Sequence, residues 1–485
     1  MQRITPGSAR PLHGATATRT IEAAAASALP PNMLMQRAGA ALARLAVALA
    51  PHARTVWVAC GPGNNGGDGL EAAARLATAY CHVVVTWLGD AHDPGLPADA
   101  SQALSRARAA PVTFADSPPP QADLVIDALL GIGARRPLQG KALAWQTHMA
   151  QLAQGGVPVL AADLPSGLDA DTGQGPAVQA THTLSLLTLK PGLYTAQGRD
   201  AAGEVWLDDL GAGDALAAAA PTAWLAPVPR RPLRPHDSHK GTWGDVAVVG
   251  GAPGMTGAAL LAARAALHGG AGRVFVGLLQ TPNLGVDPQQ PELMFRAVDT
   301  LDPRGLHAAC GCGGGDAVRQ VLPRFITRAA SLVLDADALN AIATDTSLQA
   351  LVRARCARTP ATTVLTPHPL EAARLLACTT SEVQSDRLGA AVRLAERLGA
   401  VVILKGSGTV IAAPGAVPWI NPTGNARLAT AGTGDVLAGL VAARLAQGLP
   451  ALEAACSAVH AHGACADAWP EGLALTASVL AQRVS

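Results

Sequence analysis

The residues of this chain that could do chemistry gather at glycine-rich turns. The run CGPGNNGGDG (60–69) follows the apolar stretch VWVA and precedes the helical pattern LEAAARLA, so it reads as strand, glycine loop and helix N-terminus. Gly61, Gly63 and Gly66 have the spacing of a dinucleotide fingerprint, in which glycines let backbone N–H groups approach a pyrophosphate at the positive end of a helix. Asn64, Asn65 and Asp68 exceed what an Asn-Gly turn needs and would offer amide and carboxylate groups to a ligand. Further on, Asp127 closes DLVID before GIG, Asp163 closes VPVLAAD before PSG, and Lys190 ends TLSLLTL before Pro191. Open parallel sheets bind ligands outside the carboxyl ends of their strands, so these groups should converge on one rim. A single strand-end aspartate is often only a turn cap; three acids and a double-Asn loop on one rim point to a site.

A second constellation lies downstream. GNARLATAGTGDVLAGLVAARLA (424–446) runs a glycine turn into an apolar helix, where the N–H groups of Gly432 to Gly434 form an anion hole with Asp435 at its mouth. KGSGT (405–409), after the apolar run AVVIL, is a second glycine turn with hydroxyls suited to a nucleotide phosphate, and equally a hairpin turn. No GxxxxGK[ST] occurs, which excludes a P-loop enzyme.

The elements that must hold these groups alternate. Apolar runs at 56–60, 82–88, 123–130, 157–164 and 181–189 are separated by alanine-rich helical patterns, the rhythm of a mostly parallel sheet covered by helices on both faces. The rhythm returns at 245–251, 272–279, 331–338, 363–368 and 400–406 with different motifs. The 485 residues exceed what one core supports, and PTAWLAPVPRRPLRP (221–235) has the composition of an extended linker without a strand or helix interior. Two α/β domains are therefore expected, over residues 1–220 and 236–485. Lys plus Arg (36) balances Asp plus Glu (35), which removes the basic surplus of nucleic-acid or anionic-membrane binding and favours small-molecule chemistry. No membrane-spanning stretch or signal peptide is read, so a cytoplasmic protein is expected. The eight cysteines have neither disulfide density nor paired zinc spacing; Cys310 and Cys312 lie in a glycine run without a second Cys or His pair, so reduced thiols and no zinc site are expected. Of only four lysines, three (Lys190, Lys240 and Lys405) fall in glycine-adjacent motifs.

The motifs LMQRAG (34–39), GPGNNGGDG (61–69), VIDALLGIG (125–133), DLPSGLDADTG (163–173) and LKPGL (189–193), in this order, resemble the YjeF N-terminal domain, the NAD(P)H-hydrate epimerase family, with its Rossmann-like parallel sheet. The resemblance implies that Asn65, Asp127 and Ser166 are potassium ligands, all oxygen donors as a hard cation prefers. It implies substrate contacts from Asn64, Asn65, Gly66, Gly67 and Asp68, and from Gly131, Ile132, Gly133, Ala134, Arg135, Arg136 and Pro137. Asp163 is then the acid/base residue, which moves a proton at the hydroxyl of a hemiaminal-type carbon. Gln36 and Arg37 replace the family's Glu and Asn and are given no catalytic work.

Residues 236–480 resemble the ADP/ATP-dependent NAD(P)H-hydrate dehydratase family of the ribokinase-like superfamily, through KGTWGDVAVVGG (240–251), MTGAALLAARAALHGGAG (255–272), PELM (291–294), LVLDADALN (332–340), LTPHPLE (365–371), KGSGT and GTGDVLAG. This implies that Ala258, Gly313 and His368 contact the hydrate, that Lys405, Gly406, Ser407, Gly408, Thr409 and Gly434 bind ADP or ATP with magnesium, and that Asp435 is catalytic and touches substrate. Met255, Ala259, Leu370 and Cys312 with Gly314 depart from the family pattern and bear on substrate affinity more than on reaction type. The expected protein is a bifunctional repair enzyme for NADHX and NADPHX, bacterial members generally using ADP; a homo-oligomer is expected. The rivals are a ribokinase-like hydroxyl kinase, a non-catalytic N-terminal scaffold module, and an NAD-dependent oxidoreductase, which lacks an evident hydride-acceptor site.

Overall fold

The computed structural model describes all residues except 79–80, 91–94, 134–136, 231–233, 281–283, 361 and 485. The chain divides into two compact units, Met1–Thr5 with Pro11–Ala223, and Pro6–Arg10 with Trp224–Ser485. Among the described residues no helix is long and apolar enough to cross a membrane.

The sheet of the first unit runs, from edge to edge, Gln2–Arg3, Glu204–Asp208, His182–Leu186, Val159–Ala162, Leu124–Ala128, Thr55–Cys60, His82–Trp87 and Thr113–Ala115. All neighbours are parallel except Gln2–Arg3. Side chains alternate along Thr55–Cys60: Val56, Val58 and Cys60 join one buried cluster with the helices Met33–Leu49, Asn64–Ala77 and Ala98–Ala109, while Trp57 and Ala59 join another with Lys141–Gln154. That two-sided burial explains why the central strands are apolar on both faces.

The second unit's sheet runs Met294–Phe295, Arg273–Leu278, Asp245–Gly250, Leu306–Cys310, Ser331–Leu334, Thr363–Leu365, Val401–Leu404, Val410–Ala412 and Trp419–Ile420. It is parallel as far as Val401–Leu404 and antiparallel across the next two pairings. Val246 and Val248 pack on the helices Thr256–His268 and Thr433–Ala446, and Val249 faces Val318–Arg328 on the other side.

Several elements differ from the sequence reading. The segment 221–235 is not strand-free: Ala223–Leu225 is a strand parallel to Trp419–Ile420, with the rings of Trp224 and Trp419 stacked at 5.8 Å. Residues 223–226 carry no proline, so Trp224 and Ala226 donate their N–H groups to Pro418 and Ile420. The strand Leu306–Cys310, LHAAC, was not read, because its alanines and leading histidine lack a β-branched signature. The glycine loop read within the run 60–69 is short: a helix begins at Asn64 after an extended Gly63. Lys190 does not end a strand either, since His182–Leu186 stops earlier and Leu187 turns through φ 61°.

Candidate functional site

In the first unit a cavity of about 510 Å³ opens where the glycine turn 61–63 meets the helix start. Asn64, Asn65 and Asp68 line it from the first helical turn, Gly131 to Gly133 from the turn after Leu124–Ala128, and Asp163 from the end of Val159–Ala162. Gly66 and Gly67 serve packing: a Cβ on Gly66 would lie 1.9 Å from the Gly61 carbonyl oxygen, and one on Gly67 would strike Met35. Pro137 is exposed, and Ala134, Arg135 and Arg136 lie outside the described residues.

Asp163 sits in the left-handed region at φ 66°. Its Oδ1 accepts the Leu186 N–H at 3.0 Å and an ion-pair hydrogen bond from Lys190 Nζ. The lysine is fully buried, and its ammonium also donates to the Leu186 carbonyl at 2.8 Å and the Ser185 hydroxyl at 3.3 Å. One carboxylate oxygen is thus anchored, and Oδ2 receives no donor among the described residues. Two more acids approach: burial, and then the charge of Asp163, raises the carboxyl groups of Glu22 and Asp68, Asp68 well above its ordinary value. Lys190 was among the rim groups read from the sequence but was given no role there, and Glu22, from the helix Ala15–Ser27, was not read at all. Lysine scarcity was the signal for Lys190; Glu22 carried none.

Asp127 and Ser166 lie fully buried behind the turn of Leu129 and Leu130. The Ser166 hydroxyl donates to Asp127 Oδ1 at 2.6 Å and the Ser166 N–H to Oδ2 at 2.8 Å, while the Leu130 N–H reaches the Ser166 hydroxyl at 2.8 Å. Burial pushes the Asp127 carboxyl up to about 6, opposed by the two hydrogen bonds from Ser166 and by the Leu129 N–H, which reaches Oδ1 at 3.3 Å. Asn65 packs its side chain on Gly131 and carries a buried amide nitrogen without a hydrogen bond. Among the described residues the buried acid Asp127 has a hydroxyl on it and no cationic partner, which fits a hard monovalent cation.

In the second unit the groups converge on the start of Thr433–Ala446, whose N-cap Gly432 turns at φ 87°. KGSGT proves to be a hairpin loop, closed by the pairing of Leu404 with Val410; Gly406 takes φ 135° beneath the guanidinium of buried Arg387. Lys405 leaves this loop and donates to Asp335 Oδ1 at 2.9 Å, an oxygen that also accepts from Thr366 at 2.7 Å. Its ammonium lies 3.3 Å from where a Gly434 Cβ would stand, at the open N–H groups of the helix. Burial, then the charge of Asp335, pushes the Asp435 carboxyl up to about 6, with Lys405 acting the other way. Gly313 closes on Met255 and Ala258, a Cβ there falling 2.9 Å from the Ala258 Cβ. His368 is first a helix cap, its Nδ1 accepting from the N–H groups of Leu370 at 3.1 Å and Glu371 at 3.4 Å. Leu370 stands in that helix without a positive φ, so the missing glycine strains nothing. Asp335, inside LVLDADALN, was not singled out from sequence, because an acid at a strand end declares no partner.

Two parallel α/β sheets, each with its ionisable groups gathered beside a glycine-led helix start, define a chain with two separate small-molecule reaction centres. The pattern described as YjeF-related protein N-terminus matches residues 31–192, and that described as NAD(P)H-hydrate dehydratase matches residues 246–485. The chain is 38% identical to the bifunctional NAD(P)H-hydrate repair enzyme of Escherichia coli (strain K12), across 90% of this chain and 84% of that relative. It is 44% identical to the ADP-dependent (S)-NAD(P)H-hydrate dehydratase of Neisseria meningitidis, across 52% of this chain and 86% of that one. A solved structure of the ADP/ATP-dependent NAD(P)H-hydrate dehydratase from Bacillus subtilis, co-crystallised with ATP/Mg2+, is 34% identical, covers 52% of this chain and 92% of its own, and has a TM-score of 0.46. The chain belongs to the family of bifunctional NAD(P)H-hydrate repair enzymes.

Proposed function

We propose that the first unit interconverts the R and S hydrates of NADH and NADPH at nicotinamide C6 and that the second dehydrates the S hydrate at the expense of ADP or ATP. The observation that carries this is the placement of Asp163 and Asp435, each a largely buried carboxylate with a lysine in its surroundings, beyond the carboxyl ends of the strands of its own sheet.

In the first unit, Asp163 uses Oδ2 to take the proton of the C6 hydroxyl as the C6–N1 bond opens to an aldehyde and N1 is protonated, and to return it when N1 loses that proton and closes on the other face of C6, while Lys190 and the Leu186 N–H hold Oδ1 still. Asn65, Asp127 and Ser166 would hold potassium, which would supply fixed positive charge there. In the second unit, Asp435 accepts the proton of the C6 hydroxyl as that oxygen attacks the terminal phosphoryl group of the nucleotide; phosphate then leaves with the C6–O electron pair, C5 loses a proton, and the C5=C6 double bond of the dihydropyridine is restored. Lys405 and the N–H groups around Gly434 meet the phosphoryl charge, and KGSGT carries the remaining nucleotide contacts. Magnesium would be held chiefly through the nucleotide phosphates, whose charge it would screen.

The test is recovery of the dihydronicotinamide near-ultraviolet absorbance from a mixed R and S hydrate preparation with nucleotide and magnesium, with and without potassium. Wild type is expected to recover all of it, Asp435→Asn none, and Asp163→Asn the R fraction only as fast as spontaneous epimerisation. Nucleotide turnover without absorbance recovery would instead support a hydroxyl kinase.

A further inference from the structure

Cys312, Asp335 and Asp435 come from three separate elements: the loop after Leu306–Cys310, the end of Ser331–Leu334, and the first turn of Thr433–Ala446. One ligand atom of each lies within 4.8 Å of the other two. Cys312 has no exposed surface and Asp335 only 2%. The Cys312 backbone is clamped, its carbonyl accepting the Gly251 N–H at 3.0 Å and lying 2.2 Å from where a Gly250 Cβ would stand, so the sulfur is held inward. The thiol approaches Asp335 Oδ2 at 3.9 Å and is the side-chain donor that reaches Asp435. One weak S–H donor therefore serves two carboxylates in a buried setting. The charged groups acting on Asp435 are Asp335, Asp337 and Lys405, and the ammonium of Lys405 is already engaged by Asp335 Oδ1. Negative charge is in surplus.

The geometry points to a thiolate–dicarboxylate site at Cys312, Asp335 and Asp435 for a thiophilic divalent cation, zinc or cadmium, whose occupation blocks the carboxylate that serves the second unit. Ligand atoms around a tetrahedral zinc lie roughly 3.3–3.8 Å apart, given metal–ligand bonds of about 2.0–2.3 Å, so the three side chains need close by only about 1 Å. On binding, the sulfur gives its proton to solvent and donates an electron pair to the metal, with no change of oxidation state. The dication with three anionic ligands and the neighbouring ammonium then sums to zero charge. Magnesium does not compete for this set, because it prefers oxygen donors and octahedral geometry, whereas thiolate sulfur selects zinc-like ions. The sequence argument against zinc looked for a second Cys or His pair, but here the partners are carboxylates brought in by the sheet. Binding stands on the geometry alone; the inhibitory consequence rests on Asp435 being the base.

The experiment adds cadmium chloride to the full chain and to Cys312→Ser and Cys312→Ala, each checked for an unchanged thermal midpoint. Wild type is expected to bind one more cadmium per chain than either variant, with the ultraviolet thiolate-to-cadmium band and release of a proton. Loss of an outer-shell partner alone weakens metal sites about 10–100-fold, so loss of the sulfur ligand is expected to weaken this one by at least about tenfold. Dehydration by wild type, scaled to its own metal-free rate, is lost at cadmium concentrations that spare Cys312→Ser, and a chelator restores it. Equal cadmium uptake and equal band intensity in wild type and both variants would overturn the site. Selective uptake that leaves dehydration untouched would overturn the inhibition. Selective uptake by a chain that recovers no dihydronicotinamide would keep the site and dismiss the proposed activity.

Discussion

Lys190→Met is the most demanding perturbation of the first unit. It keeps the length and apolar stem of the lysine and removes the ammonium, whose three partners are Asp163, the Leu186 carbonyl and the Ser185 hydroxyl. The lysine side chain has no exposed surface and that of Asp163 only 12%, so solvent cannot take over either charge. Removing one member of a buried pair typically costs about 3–5 kcal/mol, because the other charge is left desolvated. That is a large part of the roughly 5–15 kcal/mol that holds a domain together. Urea unfolding of the first unit, followed by the fluorescence of its buried Trp57, should therefore show a midpoint shift of that size. The double variant Lys190→Met with Asp163→Asn should unfold less readily than Lys190→Met alone, since a neutral amide no longer demands a cation. Epimerisation should fall in Lys190→Met even at urea-free, fully folded conditions, through kcat more than KM, because the lysine acts by holding Asp163 and not by touching substrate. A cost below about 1 kcal/mol, the scale of an exposed pair, with no rescue in the double variant would refute the reasoning.

The dehydratase half should show an acid limb set by Asp435. Its carboxyl is raised from the ordinary range to about 6, and it serves as base only when ionised, so kcat/KM should be flat above that pH and fall about tenfold per unit below it. Asp335→Asn removes the like charge beside Asp435, so the limb should move to lower pH. A profile that ignores Asp335→Asn would mean that burial alone raises the group. In the glycine turn of the first unit, Gly66→Ala would press a Cβ to 1.9 Å from the Gly61 carbonyl oxygen and should cost about 1–3 kcal/mol in chemical unfolding, whereas Gly63→Ala meets nothing within 4 Å and should be near neutral. Equal losses at the two positions would show that the close approach is not what the glycines serve.

Much of the fold was legible because its signals are local. The ten apolar runs read as strands all contain strands, and alternation along Thr55–Cys60 distributes its side chains between two cores as a doubly covered sheet requires. Reading failed where a strand owes its existence to its neighbours. LHAAC between Asp245–Gly250 and Ser331–Leu334 is a strand because both its edges are paired, and Ala223–Leu225 because Trp419–Ile420 is beside it. The extent of the glycine loop failed for a related reason: Asn64 is already helical because the helix packs across the sheet, a contact that asparagine and glycine propensities do not announce.

The candidate sites divide along the same line. Which groups stand at strand ends, and that glycines lead into helices at Asn64 and Thr433, follow from the order of residues along the chain, since turn chemistry and periodicity act over a few positions. Which of those groups meet is a matter of sheet order and loop path. Lys190 reaches Asp163 because the strands that precede them, His182–Leu186 and Val159–Ala162, are neighbours and the chain turns back at Leu187. Cys312, Asp335 and Asp435 come together because two strands end, and a helix begins, at the same place, although the three lie far apart in sequence. Residue types by themselves determined what chemistry each group can offer; only the tertiary structure decided which charges are desolvated and which of them have partners, because both depend on what long-range packing brings within a few ångströms.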